Sequence, residues 1–235
     1  MIFATRRFLP TVPRSALCLA LCAAAFFSRP AAATLTYRYF AGKDTVLSAC
    51  RIVKDGGGTV ITTEWKTDTA AMTHELRIDG NGADRSWKAV NRAKGTDVLI
   101  VKVGDSLVLS GTLRRGPVSK SYPLGGAVWK QMMPFDLTDF AMSNDASFSF
   151  TGIALLGPYA LKPYTLKARR MGDDTVDVLG SRIGAVRIRI SPAGLLSALW
   201  HGDYWFRKTD GTFVKSVSSG MPGGPGATML LAGER

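Results

Sequence analysis

From Leu35 onward the chain alternates apolar and polar side chains with a period of two, and Gly and Asp interrupt the alternation at short intervals. A period of two places neighbouring side chains on opposite faces of a strand, so the pattern dictates β-structure with one buried face. Leu35, Tyr37 and Tyr39 alternate with Thr36, Arg38 and Phe40, and Met72, His74, Leu76 and Ile78 share one face against Thr73, Glu75 and Arg77. Val186, Ile188 and Ile190 oppose Ala185, Arg187 and Arg189. Turn chemistry divides the runs. Asp55-Gly56-Gly57-Gly58, Asp79-Gly80-Asn81-Gly82, Gly104-Asp105 and Asp210-Gly211 supply the positive φ that tight turns need. Strands follow one another too closely for βαβ units, so neighbours pair antiparallel. Helix is confined to one or two short turns within residues 123–142, where Pro134 interrupts anything longer. The Pro/Gly-rich stretch 116–147 reads as an irregular seam between two strand groups of one domain. The fold class is therefore mainly all-β. A sheet with open edges invites aggregation, and a strongly curved antiparallel sheet or partly closed barrel is the expected remedy.

The N-terminus obeys different rules. Arg6, Arg7 and Arg14 precede an apolar run over residues 16–27, and Ala31-Ala32-Ala33 follows it. A basic n-region, a short apolar core and a small-residue site define a secretory signal peptide over residues 1–33, cleaved near Ala33. The core is too short for a membrane span, and Leu17 and Leu21 before the two cysteines do not suit lipid attachment. The remaining domain, residues 34–235, has no transmembrane segment and is expected in the periplasm. Loss of Arg6, Arg7, Arg14 and Arg29, with no acid among the first 33 residues, lowers the formal charge from +12 to +8. Cys18 and Cys22 leave with the leader. Cys50 then has no intramolecular partner, which reads as a buried inert thiol. Export also turns the basic surplus away from nucleic acid and toward anionic lipid or lipopolysaccharide.

Little in the sequence carries chemistry. No H-E-x-x-H, C-x-x-C or G-x-S-x-G motif is present, and Gly220–Gly226 lacks the Lys-Ser/Thr of a phosphate loop. No catalytic residue, metal or cofactor is expected. His74 lies on an apolar face and reads as a core histidine. Asp173, Asp174 and Asp177 read as a solvated turn. The candidate ligand-binding residues are Arg187, Arg189, Trp200, His201, Tyr204 and Trp205, which join cations to aromatic surface.

The run 176–226 resembles a family of uncharacterised bacterial envelope proteins with a domain of unknown function. The resemblance rests on Gly184-Ala185-Val186-Arg187-Ile188, on Trp200 with Asp203-Tyr204-Trp205-Phe206, on Asp210-Gly211-Thr212-Phe213, and on Gly223-Gly224-Pro225-Gly226. It covers about a quarter of the chain and departs from the family's Pro-Ala-Gly-Thr-Phe turn at Leu179–Ile183. It implies an exported curved antiparallel sheet, similar in outline to lipoprotein carriers, and no catalytic residues. The expected function is non-enzymatic binding of an apolar or lipid-like envelope ligand. Two alternatives stand beside it: a scaffolding protein that binds another envelope protein through its sheet, and an envelope-polymer hydrolase using His201 and Asp203.

Overall fold

A computed structural model describes residues 31–42, 44–66, 71–114, 116–154, 161–194, 197, 200–219 and 226–235. The signal-peptide core and the loop 220–225 fall outside these residues. Ala31–Arg235 form one compact unit.

Eight strands come first: β1 (Ala31–Ala41), β2 (Asp44–Asp55), β3 (Gly58–Lys66), β4 (Ala71–Asp79), β5 (Asp84–Asn91), β6 (Thr96–Val103), β7 (Ser106–Leu113) and β8 (Gly116–Pro123). An aperiodic segment follows, holding the short strand β9 (Val128–Trp129) and the helix α1 (Thr138–Met142). Six strands complete the chain: β10 (Ser147–Ala154), β11 (Lys162–Val178), β12 (Ser181–Pro192), β13 (Gly202–Arg207), β14 (Phe213–Ser218) and β15 (Ala227–Glu234).

All fifteen strands belong to one sheet, ordered β8-β7-β6-β5-β4-β3-β2-β1-β15-β14-β13-β12-β11-β10-β9. Two meanders, β1–β8 and β10–β15, meet where β1 pairs with β15, with Tyr37 opposite Leu231 and Tyr39 opposite Met229. Neighbours pair antiparallel, as the strand spacing requires. The exception is β9, which lies parallel to β10 through Val128–Phe150 and Trp129–Thr151.

The expected strongly curved sheet or partly closed barrel is not formed. The strand order is linear, with β8 and β9 at separate ends and, among the described residues, no ladder between them. The sheet is neither closed nor strongly curved. Closure is unnecessary because residues 124–142 cover the apolar face instead. Trp129, Met132, Phe135, Leu137 and Phe140 from this segment are buried with Tyr37, Ile61, Leu76, Ile188 and Phe206 from the sheet. The Phe135 ring meets Tyr37 at 5.4 Å and Phe213 at 5.7 Å, both edge-on. The expected seam is thus a lid of side chains, and its first eight residues are strand β8, paired with β7.

Two glycines let the cover approach the sheet's turns. A Cβ on Gly211 (φ +69°) would lie 2.7 Å from Thr138 Cγ2 and 2.9 Å from Met142 Cγ, and one on Gly82 (φ +77°) would lie 2.8 Å from Asp139 Oδ2. Helix α1 is seated between these two turns, one from each meander. Arg170 closes its C-terminal end by donating to the carbonyls of Phe140 (3.1 Å) and Ala141 (3.0 Å), and also to that of Ser143.

Candidate functional site

The alternating strands give the sheet two faces of different chemistry. On the inner face, under the cover, lies a cavity of about 630 Å³. Its apolar wall is Leu35, Ile52, Ile61, Ile78, Phe135 and Phe213, and its rim carries Lys54, Asp55, Asp139 and Glu234. The volume lies within the range small-molecule pockets occupy.

Lys130 and Asp136 also border the cavity. With Asp84 they form a buried ionic group that the sequence pattern does not single out. Lys130 Nζ donates to Asp84 Oδ1 at 3.2 Å and to the Gly82 carbonyl at 3.1 Å. Asp84 Oδ2 accepts from the Gln131 amide at 3.1 Å, and Asp136 Oδ2 accepts from the Met132 amide at 2.8 Å. Burial, reinforced by the neighbouring Asp136 charge, pushes the Asp84 carboxyl up to about 8. Burial also raises Asp136. Lys130 offsets part of the charge the two carboxyls would carry, its ion pair being with Asp84. Gln131 extends the clamp to the other meander, donating to the Ile153 carbonyl at 2.7 Å and accepting from its amide at 3.0 Å. The sequence signal for this group is weak, because Lys130 and Asp136 lie in the aperiodic cover segment and their partner Asp84 is more than 40 residues away at the start of β5.

The sequence-predicted residues divide between places. Arg187, Arg189 and Trp205 come together on the outer face. Arg189 grips Asp203 with two bonds of 2.8 Å, and Arg187 Nη2 reaches the same carboxylate at 2.6 Å. Burial works to raise Asp203, but the two guanidinium groups outweigh it and hold the carboxyl below its ordinary range. Trp205 lies between cations, with Arg187 5.5 Å and Lys215 5.1 Å from its ring centre, and its Nε1 donates to Asp174 Oδ2 at 2.8 Å. That bond, with the Thr175 amide, lowers the Asp174 carboxyl. Asp173, Asp174 and Asp177 therefore lie within β11 and not in a solvated turn.

Tyr204 lies on the opposite face, its ring 6.3 Å from that of Phe213, and burial raises its hydroxyl. Trp200 packs partly buried against the core. The His201 amide and carbonyl both bond to the Ser219 hydroxyl, at 3.1 and 3.0 Å. Asp203 is occupied by arginines, so no His201–Asp203 couple is assembled. Among the described residues, no group of three or more His, Cys, Asp or Glu is arranged to hold a metal ion. No helix among them is long and apolar enough to cross a membrane.

These features define a cover-on-sheet β-protein with an apolar space between the two layers. Its fold is similar to that of a protein from Brucella abortus described as β-barrel-like, of the domain of unknown function DUF1849. The TM-score is 0.53 at 11% identity, covering 88% of this chain and 97% of that one. Two solved structures are more remote: the hypothetical lipoprotein YmcC from Escherichia coli (TM-score 0.39, 12% identity, 96% and 98% of the two chains) and a DUF1329 family protein from Desulfovibrio piger (0.28, 9%, 96% and 93%). No family model and no curated protein matches the chain. At 11% identity the Brucella likeness is one of fold alone.

Proposed function

We propose that this is an exported, non-enzymatic binding protein that takes an apolar or lipid-like ligand between the sheet and its cover. The observation that carries this reading is the cavity of about 630 Å³. The space opens to solvent on one side, and its aliphatic and aromatic wall is apolar surface that a bound ligand would remove from water. The aromatic and aliphatic wall supplies affinity without directional chemistry. The export leader supports a place in the cell envelope, where lipid-like ligands are at hand. The arginines expected beside a ligand headgroup lie on the other face of the sheet, so the ligand's polar end would meet the mixed rim of Lys54, Asp55, Asp139 and Glu234 instead.

Native mass spectrometry after gentle purification, joined to titration with a fluorescent fatty acid, tests the proposal. A bound adduct or saturable uptake is expected, and Ile61→Trp, which fills the cavity, should reduce uptake. Bare polypeptide mass together with no uptake overturns it.

A further inference from the structure

The outer face of the sheet is free of the cover, and its cross-strand registers place two neighbouring rows of side chains there. One row runs Arg187, Trp205, Lys215, Leu230, Arg38, Leu47, Lys66, each residue directly opposite the next. The second runs Arg169, Arg189, Asp203, Val217, Thr228, Phe40, Thr45. Strands stand about 4.8 Å apart, so each row spans about 29 Å. Together the rows hold six cations and one carboxylate, Asp203. Asp203 offsets one charge of the Arg187–Arg189 pair, and Asp174, bonded to Trp205 beside Arg187 and Lys215, offsets another. Lys66 is paired with Glu64 of the same strand at 3.4 Å, but both side chains are largely solvated, which makes that pair weak.

Between the cations stand apolar side chains that the fold leaves in water. Leu47 is 55% exposed, Val217 39% and Phe40 36%. Strand alternation accounts for polar residues here, since this face should be the solvated one. It does not account for Phe40 two strands from Val217 and diagonal to Leu47, with Arg and Lys on the flanking positions. Cations around exposed apolar groups match a surface that is anionic at its plane and apolar just beneath. A bilayer leaflet with acidic headgroups has that profile, and the face keeps a net positive charge after Asp203, Asp174 and Glu64 are set against its six cations.

We propose that this face docks on an anionic lipid bilayer, with Arg38, Arg169 and Lys215 at the headgroups and Phe40, Leu47 and Val217 entering between them. The docking surface lies on the opposite side of the sheet from the cavity, so the inference stands independently of the ligand reading above.

Vesicle co-sedimentation of the purified protein tests it. Phosphatidylcholine vesicles containing phosphatidylglycerol should bind at least about tenfold more protein than pure phosphatidylcholine, with the difference falling as salt rises. Charge reversal at two sites of the face, Arg38→Glu with Lys215→Glu, should lower binding by at least about tenfold. Phe40→Ser with Leu47→Ser should lower it a few-fold and leave the salt slope unchanged. The control is Arg92→Glu with Lys94→Glu in the exposed turn after β5, which changes net charge equally and should have a far smaller effect. Thermal melts establish that each variant is folded. Equal binding to neutral and acidic vesicles overturns the proposal, as does an equal loss in the control. Indifference to the Phe40 and Leu47 substitutions, with undiminished binding to a soluble polyanion, would mark the face as a general anion surface and overturn lipid docking as well.

Discussion

At the scale of single residues, burial sets the chemistry of the inner face. His74 lies tilted against Trp87, ring centres 5.3 Å apart, and burial brings its imidazole down to about 4. Cys50 is buried too, its thiol pushed up to about 12. Both roles are legible in the sequence because each residue sits in register with an apolar face. The Asp84 group is not, since it joins one strand residue to two residues of the aperiodic cover and leaves no periodic trace. The two titrating groups give stability opposite pH slopes. A histidine depressed to about 4 favours the fold above its ordinary 6.5 and withdraws that contribution as pH falls toward 4. A carboxyl raised from 3.8 to about 8 favours the fold fully below 3.8 and withdraws that contribution as pH rises toward 8. Between pH 4 and 6.5 the two slopes oppose; from 6.5 to 8 the Asp84–Asp136 carboxyls act without the histidine. Urea midpoints should therefore fall from pH 6.5 to 8, and Asp84→Asn should flatten that limb. An unchanged slope in the variant would assign it elsewhere. His74→Phe keeps the ring contact and removes the ionisable group. It should make the protein more resistant to acid between pH 6.5 and 4, and a variant as acid-labile as the parent would disprove the assignment.

At the scale of elements, what alternates is legible and what does not is hidden. The hairpins turning at residues 56–57 and 104–105 follow directly from Gly/Asp punctuation between alternating runs. Strand β8 gives no such signal, because Pro117 and Pro123 bound it and Ser119, Lys120 and Ser121 fill it, which is the composition of an edge strand. It pairs on one side only, with β7, and its prolines and lysine discourage a foreign strand from joining. Pro134 limits helix as its ring requires, and α1 begins four residues beyond it. That the aperiodic segment is a cover cannot be read locally, since packing across chain distance has no local period. The seating of α1 makes a prediction about glycines. A Cβ on Gly104 (φ +57°) would meet nothing within 4 Å, whereas one on Gly211 (φ +69°) would face Thr138 and Met142 at under 3 Å. Gly104→Ala should cost only the left-handed backbone penalty, about 1 kcal/mol. Gly211→Ala carries that and also displaces the helix, for about 2–4 kcal/mol. Equal denaturation midpoints for the two variants would mean that α1 is not held against the turn.

At the scale of the whole molecule, the first and last strands join the two meanders. Among the described residues, the β1–β15 ladder is the one strand pairing between them, and the cover supplies the other link through Lys130, Gln131, Phe135 and α1. Closure of this junction comes late in sequence: Leu35 pairs with Glu234, and Thr34 exchanges bonds of 2.9 Å with Arg235. A meander of neighbours is evident from strand spacing, but pairing between chain ends rests on contacts that local pattern does not encode. If the junction and the cover make one core, both meanders must unfold together. Trp87 reports the first meander and Trp205 the second. Fluorotryptophan labelling followed by fluorine NMR in urea should show both resonances lost at the same denaturant concentration. Leu231, 1% exposed and opposite Tyr37 at the junction, provides the lever. Leu231→Ala should lower stability by about 2–5 kcal/mol and move both resonances equally, because the cavity it leaves belongs to both halves. Separate midpoints in the parent protein would show two folding units meeting at a seam. A shift of the Trp205 resonance alone in the variant would confine Leu231 to the second meander, and the cover would then be the sole coupling element.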